Sequence, residues 1–347
     1  MKTLATVLAS GVRSPLGLDS RATAMLLRTG LAAIGAAPID LGDGEPVTMA
    51  HDVTLDPYVV GDERAILLAR AALAELARAF APGAVRSLRT RVVLALPEPN
   101  PGAVRAATSP LRSRDLGLAI REVFGDCMID VDPRGSAGLA YALPSALAVL
   151  ARREVDAVLV GGVHTDYDHE ALAALDAVGR LFRPESVDAV IPGECAAFVL
   201  LGRPDLAGRL GLRPLASIVG IGSATGDVTP DSTGAFDASA LAAAFRMAAV
   251  DLPAELRIGW ALGDHGLEHF RNRELYAAVT RANGLFTAPF SIDSPAQRLG
   301  RTGAASLPLF VALSGEAFRH QFAPSPIGLL FAGSDRGERG AIVVSAP

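Results

Sequence analysis

Apolar and polar positions along this chain switch between two periods. Leu4 to Val12 is a largely apolar run that predicts a first β-strand, and Ser14-Pro15-Leu16-Gly17 stops it. A helix is expected from Arg21 to Arg28, closed by Gly30, while residues 34 to 60 carry neither period and read as irregular. From Asp62 to Phe80, Ala65, Leu68, Ala69, Ala72, Leu73 and Leu76 recur at helical spacing. A strand over Arg91 to Leu96 and a helix over Leu111 to Phe124 come next. Then follow a short strand over Met128 to Val131, a small-residue helix over Ser136 to Arg152 and an apolar strand over Asp156 to Val163. Ala171 to Leu175 reads as helix and Cys195 to Leu201 as strand.

A second series opens at Leu212 to Ile221, a strand. It continues through a helix Ala238 to Val250, a strand Arg257 to Leu262 and helices Glu274 to Ala282 and Ala304 to Phe318. Strands Ile327 to Ala332 and Gly340 to Val344 close it. Alternating strands and helices predict an α/β protein with helices covering the sheets. The order of elements repeats about a seam near residues 203 to 213, so the expected organisation is two similar halves, 1–205 and 206–347, packed as one body.

Composition narrows the function. Half of the 347 residues are hydrophobic, mean hydropathy is +0.34 and only 20% are charged, enough apolar material for a large core. The net charge of −5 disfavours nucleic acid and anionic membrane surfaces as partners. Lys2 is the only lysine, so no internal lysine is available as a base. Cys127 and Cys195 sit in apolar stretches and read as reduced core thiols of a cytoplasmic protein. The charge and apolar run of Met1 to Ser10 mimic a signal peptide, but the run breaks at Gly11 and reads as the first strand. No stretch approaches the ~18 apolar residues of a membrane span.

Six segments together resemble the β-ketoacyl synthase branch of the thiolase superfamily, in order and over nearly the whole chain. They are ASGVRSPLGLD with LLRTG after it, IDVDPRGSAGLAYAL, EVDAVLVGGV, IPGECAAFVLL, LGRTGAASLPLFVAL and GSDRGERGAIVV. The resemblance implies a thiolase-like fold with mixed sheets packed as αβαβα layers. It also implies dimers, pairing through the strand at Asp126 to Val131. The chain is shorter than a complete ketosynthase, which implies trimmed loops.

The family's catalytic residues are missing where the resemblance would put them. The nucleophilic cysteine position is Gly135, which has no side chain to acylate. The two histidine positions are Gly263 and Arg301, and the lysine position falls near Ala296. Arginine is no base at physiological pH; at 301 it can bind a carboxylate, phosphate or carbonyl, or neutralise Asp264. The loop Asp264-His265-Gly266-Leu267-Glu268 resembles a variant found in ketosynthase-like proteins without the usual residues, with Asp264 and Glu268 as its acids and Arg271 and Glu274 following.

Two residues keep alternatives open. Ser136 is either a helix-start serine satisfying backbone donors or a displaced nucleophile. His265 is either a loop histidine, exposed or paired with Asp264, or a displaced base. The cluster His164, Asp166, Asp168 and His169 reads as a solvated loop, and no metal or cofactor is expected.

Three functions fit. The first is a non-catalytic protein acting by association, either as an accessory linked to type VI secretion and its effectors or as a chain-length-factor-like partner of an active ketosynthase and its acyl-carrier protein. The second is an acyltransferase rebuilt on Ser136, Asp264 and His265. The third is a binding module in which Arg301 and the helix start at Ser136 hold an anionic group.

Overall fold

The computed structural model describes residues 1–42, 44–99, 110–230, 232 and 236–347. The first half runs β1 (Ala5–Arg13), α1 (Ser20–Arg28), β2 (Ile34–Asp40), β3 (Pro46–Ala50), α2 (Gly61–Arg78), β4 (Thr90–Ala95), α3 (Pro110–Phe124), β5 (Met128–Asp132), α4 (Gly138–Ala151), β6 (Ala157–Thr165), α5 (His169–Ala177) and β7 (Glu194–Gly202). The second half runs α6 (Pro204–Arg209), β8 (Ala216–Thr225), α7 (Ser239–Ala248), β9 (Ile258–Gly263), α8 (His269–Arg281), β10 (Phe286–Asp293), α9 (Ala296–Leu299), α10 (Ser306–Arg319), β11 (Ile327–Gly333) and β12 (Glu338–Ser345).

The strand pattern repeats. One half orders its strands β5-β4-β6-β7-β1 and the other β10-β9-β11-β12-β8. In each, the first three neighbours are parallel and the last two pairings antiparallel. The halves meet where Ala5 to Val7 of β1 pairs with Ala216 to Ile218 of β8. Three cores separate the layers. Leu68, Leu76 and Ile120 of α2 and α3 cover one outer face, and Phe245 and Leu275 of α7 and α8 cover the other. Between the sheets lie α4, with Leu139, Leu143 and Leu147, and α10, with Leu307, Phe310 and Val311. Twelve of the fourteen residues of α10 are buried, which is why its sequence is apolar all round rather than striped. This is the αβαβα layering that the resemblance implied.

Three strands lie where the sequence predicts none. The stretch 34–60 is not wholly irregular: β2 and β3 pair antiparallel as a separate ribbon. β10 is an edge strand, mostly half-buried or exposed. None of the three alternates cleanly, because a half-solvated edge has no continuous core face to impose a period of two. The opposite edge is β5, where Met128 is 64% exposed and Val131 44% exposed.

Candidate functional site

β5 ends in Asp132-Pro133-Arg134-Gly135, and the chain turns sharply into a 3-10 turn, Gly135–Ala137, that leads into α4. The Asp132 carboxylate accepts from the Arg134 N–H at 3.0 Å, which shapes the turn. Gly135 has φ +60°, in the left-handed region, so the sharp strand-to-helix elbow is kept while glycine relieves its strain.

The space a side chain would use at this elbow is occupied. A Cβ built on Gly135 would stand 2.7 Å from Cγ and Oε1 of Glu98. The Glu98 carboxylate accepts from the N–H groups of Asp335 at 2.8 Å and Arg336 at 3.2 Å. Two donors of the elbow are spent as well, those of Gly135 and Ala137. The Gly135 N–H donates to the Leu96 carbonyl at 3.0 Å. The Ala137 N–H donates to Ser334 Oγ at 3.0 Å, and the Ser334 hydroxyl in turn donates to the Arg134 carbonyl. An oxyanion site needs such donors free and aimed at the reacting atom.

Behind the elbow lies a cavity of about 680 Å³ lined by, among others, Gly135, Ser136, Asp264, Glu268 and Arg301. Ser136 is half-buried, and its hydroxyl has no hydrogen-bond partner among the described residues. His265 does not line the cavity. Its ring stacks on Phe331 with centroids 6.1 Å apart, its carbonyl accepts from the Ser294 hydroxyl, and burial pushes its pKa down to about 4. Ser136, Asp264 and His265 are therefore not connected as a relay. Gly263, at the end of β9, packs against the Phe331 ring, and Ala296 lines the cavity from α9 without a charge.

Arg301 finds a different carboxylate from the one expected. Its Nε donates to Asp166 Oδ2 at 3.0 Å and its Nη2 to Asp166 Oδ1, a two-point pair. Asp166 also accepts from the Gly193 N–H at 3.1 Å and has His164 Nε2 at 3.1 Å. Burial opposes ionisation of Asp166, but Arg301 and His164 overcome it and hold the carboxyl far below the usual range. The reading of residues 164–169 as a solvated loop is thus corrected. His164 and Asp166 are buried, and Asp168 caps α5 by accepting from the N–H groups of Glu170 and Ala171. The reason is tertiary: Arg301 lies 135 residues away and supplies the counter-charge that lets an aspartate be buried. Among the described residues no group of side chains could hold a metal ion.

The remaining acids sort into paired and unpaired. Arg180 bridges Glu268 at 2.7 Å and Asp335 at 3.0 Å, and Arg271 donates to Asp335 at 2.6 Å. Burial disfavours the Asp335 anion, yet Arg271 and Arg180 keep its carboxyl far below the ordinary range. Glu274 accepts from Arg339 at 2.7 Å. Asp264 accepts from the Gly333 N–H at 3.0 Å and makes no ion pair among the described residues. Burial lifts its pKa to about 6, against the pull of Arg271 and Arg339. Among the described residues, eight carboxylates and four guanidiniums line the cavity, and Arg301 is already committed to Asp166.

Glu98, Arg180 and Asp335 were not singled out from the sequence. Only Glu98 carried a signal, an acid set between Pro97 and Pro99 just after a strand.

No family model matches the chain, and no curated protein does. Solved structures do. The ishigamide ketosynthase/chain length factor is 18% identical with a TM-score of 0.82, and all of both chains is covered. The AntDE:AntF complex, a type II PKS acyl-carrier protein with its ketosynthase bound to the hexaketide, matches at 13% identity and TM-score 0.82, again over all of both chains. The ketosynthase from module 6 of the bacillaene synthase of Bacillus subtilis 168 is 15% identical with a TM-score of 0.78. It matches over 99% of this chain and 72% of its own. At such identities the likeness shows the fold: the chain has the thiolase-like ketosynthase fold. It is shorter than the bacillaene domain, but it spans the whole of the other two.

Proposed function

We propose that this protein is a non-catalytic ketosynthase-like protein that acts by association, as a chain-length-factor-like partner of an active ketosynthase and its acyl-carrier protein. One observation carries the reading: at Gly135 the place of a nucleophilic side chain is filled by the Glu98 carboxylate. Acyl transfer needs a nucleophile, a base in reach and free donors for the oxyanion. Here Arg301 is locked to Asp166, no described residue hydrogen-bonds the Ser136 hydroxyl, and the Gly135 and Ala137 N–H groups donate to their own neighbours. The solved ketosynthase/chain length factor and the carrier-protein complex are what favour this partner over others.

The exposed Met128 and Val131 on the free edge of β5 suit pairing with a homologous strand, in a homodimer or a heterodimer. The type VI secretion setting rests on the resemblance of Ile191-Pro192-Gly193-Glu194 and the 264–268 loop. Glu194 has a structural use in this chain, a fully buried pair with Arg64 at 2.7 Å, and does not itself support that setting.

Intact-mass measurement after exposure to an activated acyl donor and to acyl-carrier thioesters tests the absence of acyl chemistry. No added acyl mass is expected, in the wild type or in Ser136→Ala. An adduct that disappears in Ser136→Ala would establish the rebuilt acyltransferase instead.

A further inference from the structure

The segment that joins β11 to β12 turns two successive N–H groups, those of Asp335 and Arg336, toward one point on the cavity wall. Converging main-chain donors of this kind make a concavity for an anion. The point is taken by Glu98, one oxygen on each N–H, and Glu98 makes no ion pair among the described residues. Its delivery is pre-set. Pro97 and Pro99 flank it, and a residue before proline is confined to extended backbone, so little conformational entropy is lost on placing the carboxylate. Arg336 Nη2 also donates to the Pro99 carbonyl at 2.9 Å and ties this segment to the same turn.

We infer that the N–H pair of Asp335 and Arg336 is a binding site for a small carboxylate, and that Glu98 is its resident, intramolecular ligand, which keeps the elbow closed. This rests on the reading of the elbow as non-catalytic, but not on any partner. The occupant is held under tension: burial raises the Glu98 pKa, and the neighbouring Asp335 carboxylate adds to the rise. A carboxylate that reaches the elbow must displace Glu98, which explains how a cavity of this size coexists with a sealed elbow.

Glu98→Ala removes a fragment equivalent to acetate. The variant is expected to melt about 2–4 °C below the wild type in chloride buffer. Acetate at ~100 mM should restore most of that loss, since a ligand that binds only the folded state raises its melting point. Wild type should not respond to acetate beyond the chloride control. Equal melting of Glu98→Ala in acetate and in chloride would overturn the inference, as would a matching acetate response in wild type. Should Glu98→Ala fail to fold, the isosteric Glu98→Gln decides. The backbone amide resonances of Asp335 and Arg336 should show a pH transition in wild type that Glu98→Gln removes, while that of Gly333, which reports Asp264, titrates in both; the same transition at Asp335 and Arg336 in both proteins, or none in wild type, sinks the idea. These readouts are independent of partner capture, so the carboxylate site and the partner reading can fail separately.

Discussion

Gly135→Cys lowers stability by about 3 kcal/mol and yields no acylated enzyme. Two costs combine. A non-glycine residue at φ +60° is strained by about 1–2 kcal/mol. The new Cβ would stand 2.7 Å from Cγ and Oε1 of Glu98, and crowding of this kind costs about 1–3 kcal/mol. The urea midpoint reads the loss. Adding Glu98→Ala should return the crowding share but not the backbone share, so the two substitutions couple rather than add. Acylation stays absent in the pair because Gly263 and Arg301 still supply no base. A loss in Gly135→Cys that Glu98→Ala leaves unrelieved would mean that Glu98 does not occupy the elbow.

Asp264→Asn stabilises the protein at pH 7.5, by about 1–3 kcal/mol. The Asp264 carboxyl is raised to about 6 from an ordinary value of 3.8, chiefly by burial, so the folded state holds a proton the unfolded state has released. For a carboxylate shifted upward, stability falls as pH rises from about 4 to 6, and above that window the full penalty persists. A two-unit shift corresponds to about 3 kcal/mol, and partial exposure of the group reduces it. Asparagine keeps an oxygen for the Gly333 N–H, so the hydrogen bond survives the change. The advantage of Asp264→Asn should shrink as pH falls and vanish near pH 4. Below that, Asp166 and Asp335, both held far below the usual range, turn the slope around, since their protonation removes stability as pH falls. Denaturant midpoints of both proteins from pH 4 to 8 measure this. A difference that does not vary with pH would show that Asp264 is not the titrating group.

What the sequence made legible follows from how local each signal is. The helical spacing of Ala65 to Leu76 and the apolar runs in β6 and β7 are written into neighbouring residues, so those elements were readable. The placement of the family's catalytic positions at Gly135, Gly263 and Arg301 rests on the motifs alone. Pairing was not readable. Sequence alone offers Arg301 a carboxylate, phosphate or carbonyl ligand, or Asp264 across the pocket; the fold gives it Asp166, just after β6, and leaves Asp264 to a backbone N–H. Nothing in Pro97-Glu98-Pro99 says that the Glu98 carboxylate will fill a void 37 residues further on. His265 looked chemical in the motif, but the end of β9 turns it against Phe331 instead.

Native co-purification of the tagged full chain, with mass spectrometry of whatever remains bound, tests the account most directly. A ketosynthase or acyl-carrier protein in stoichiometric amount is the predicted result. Recovery of secretion components or a toxin, with neither of those proteins present, would contradict it.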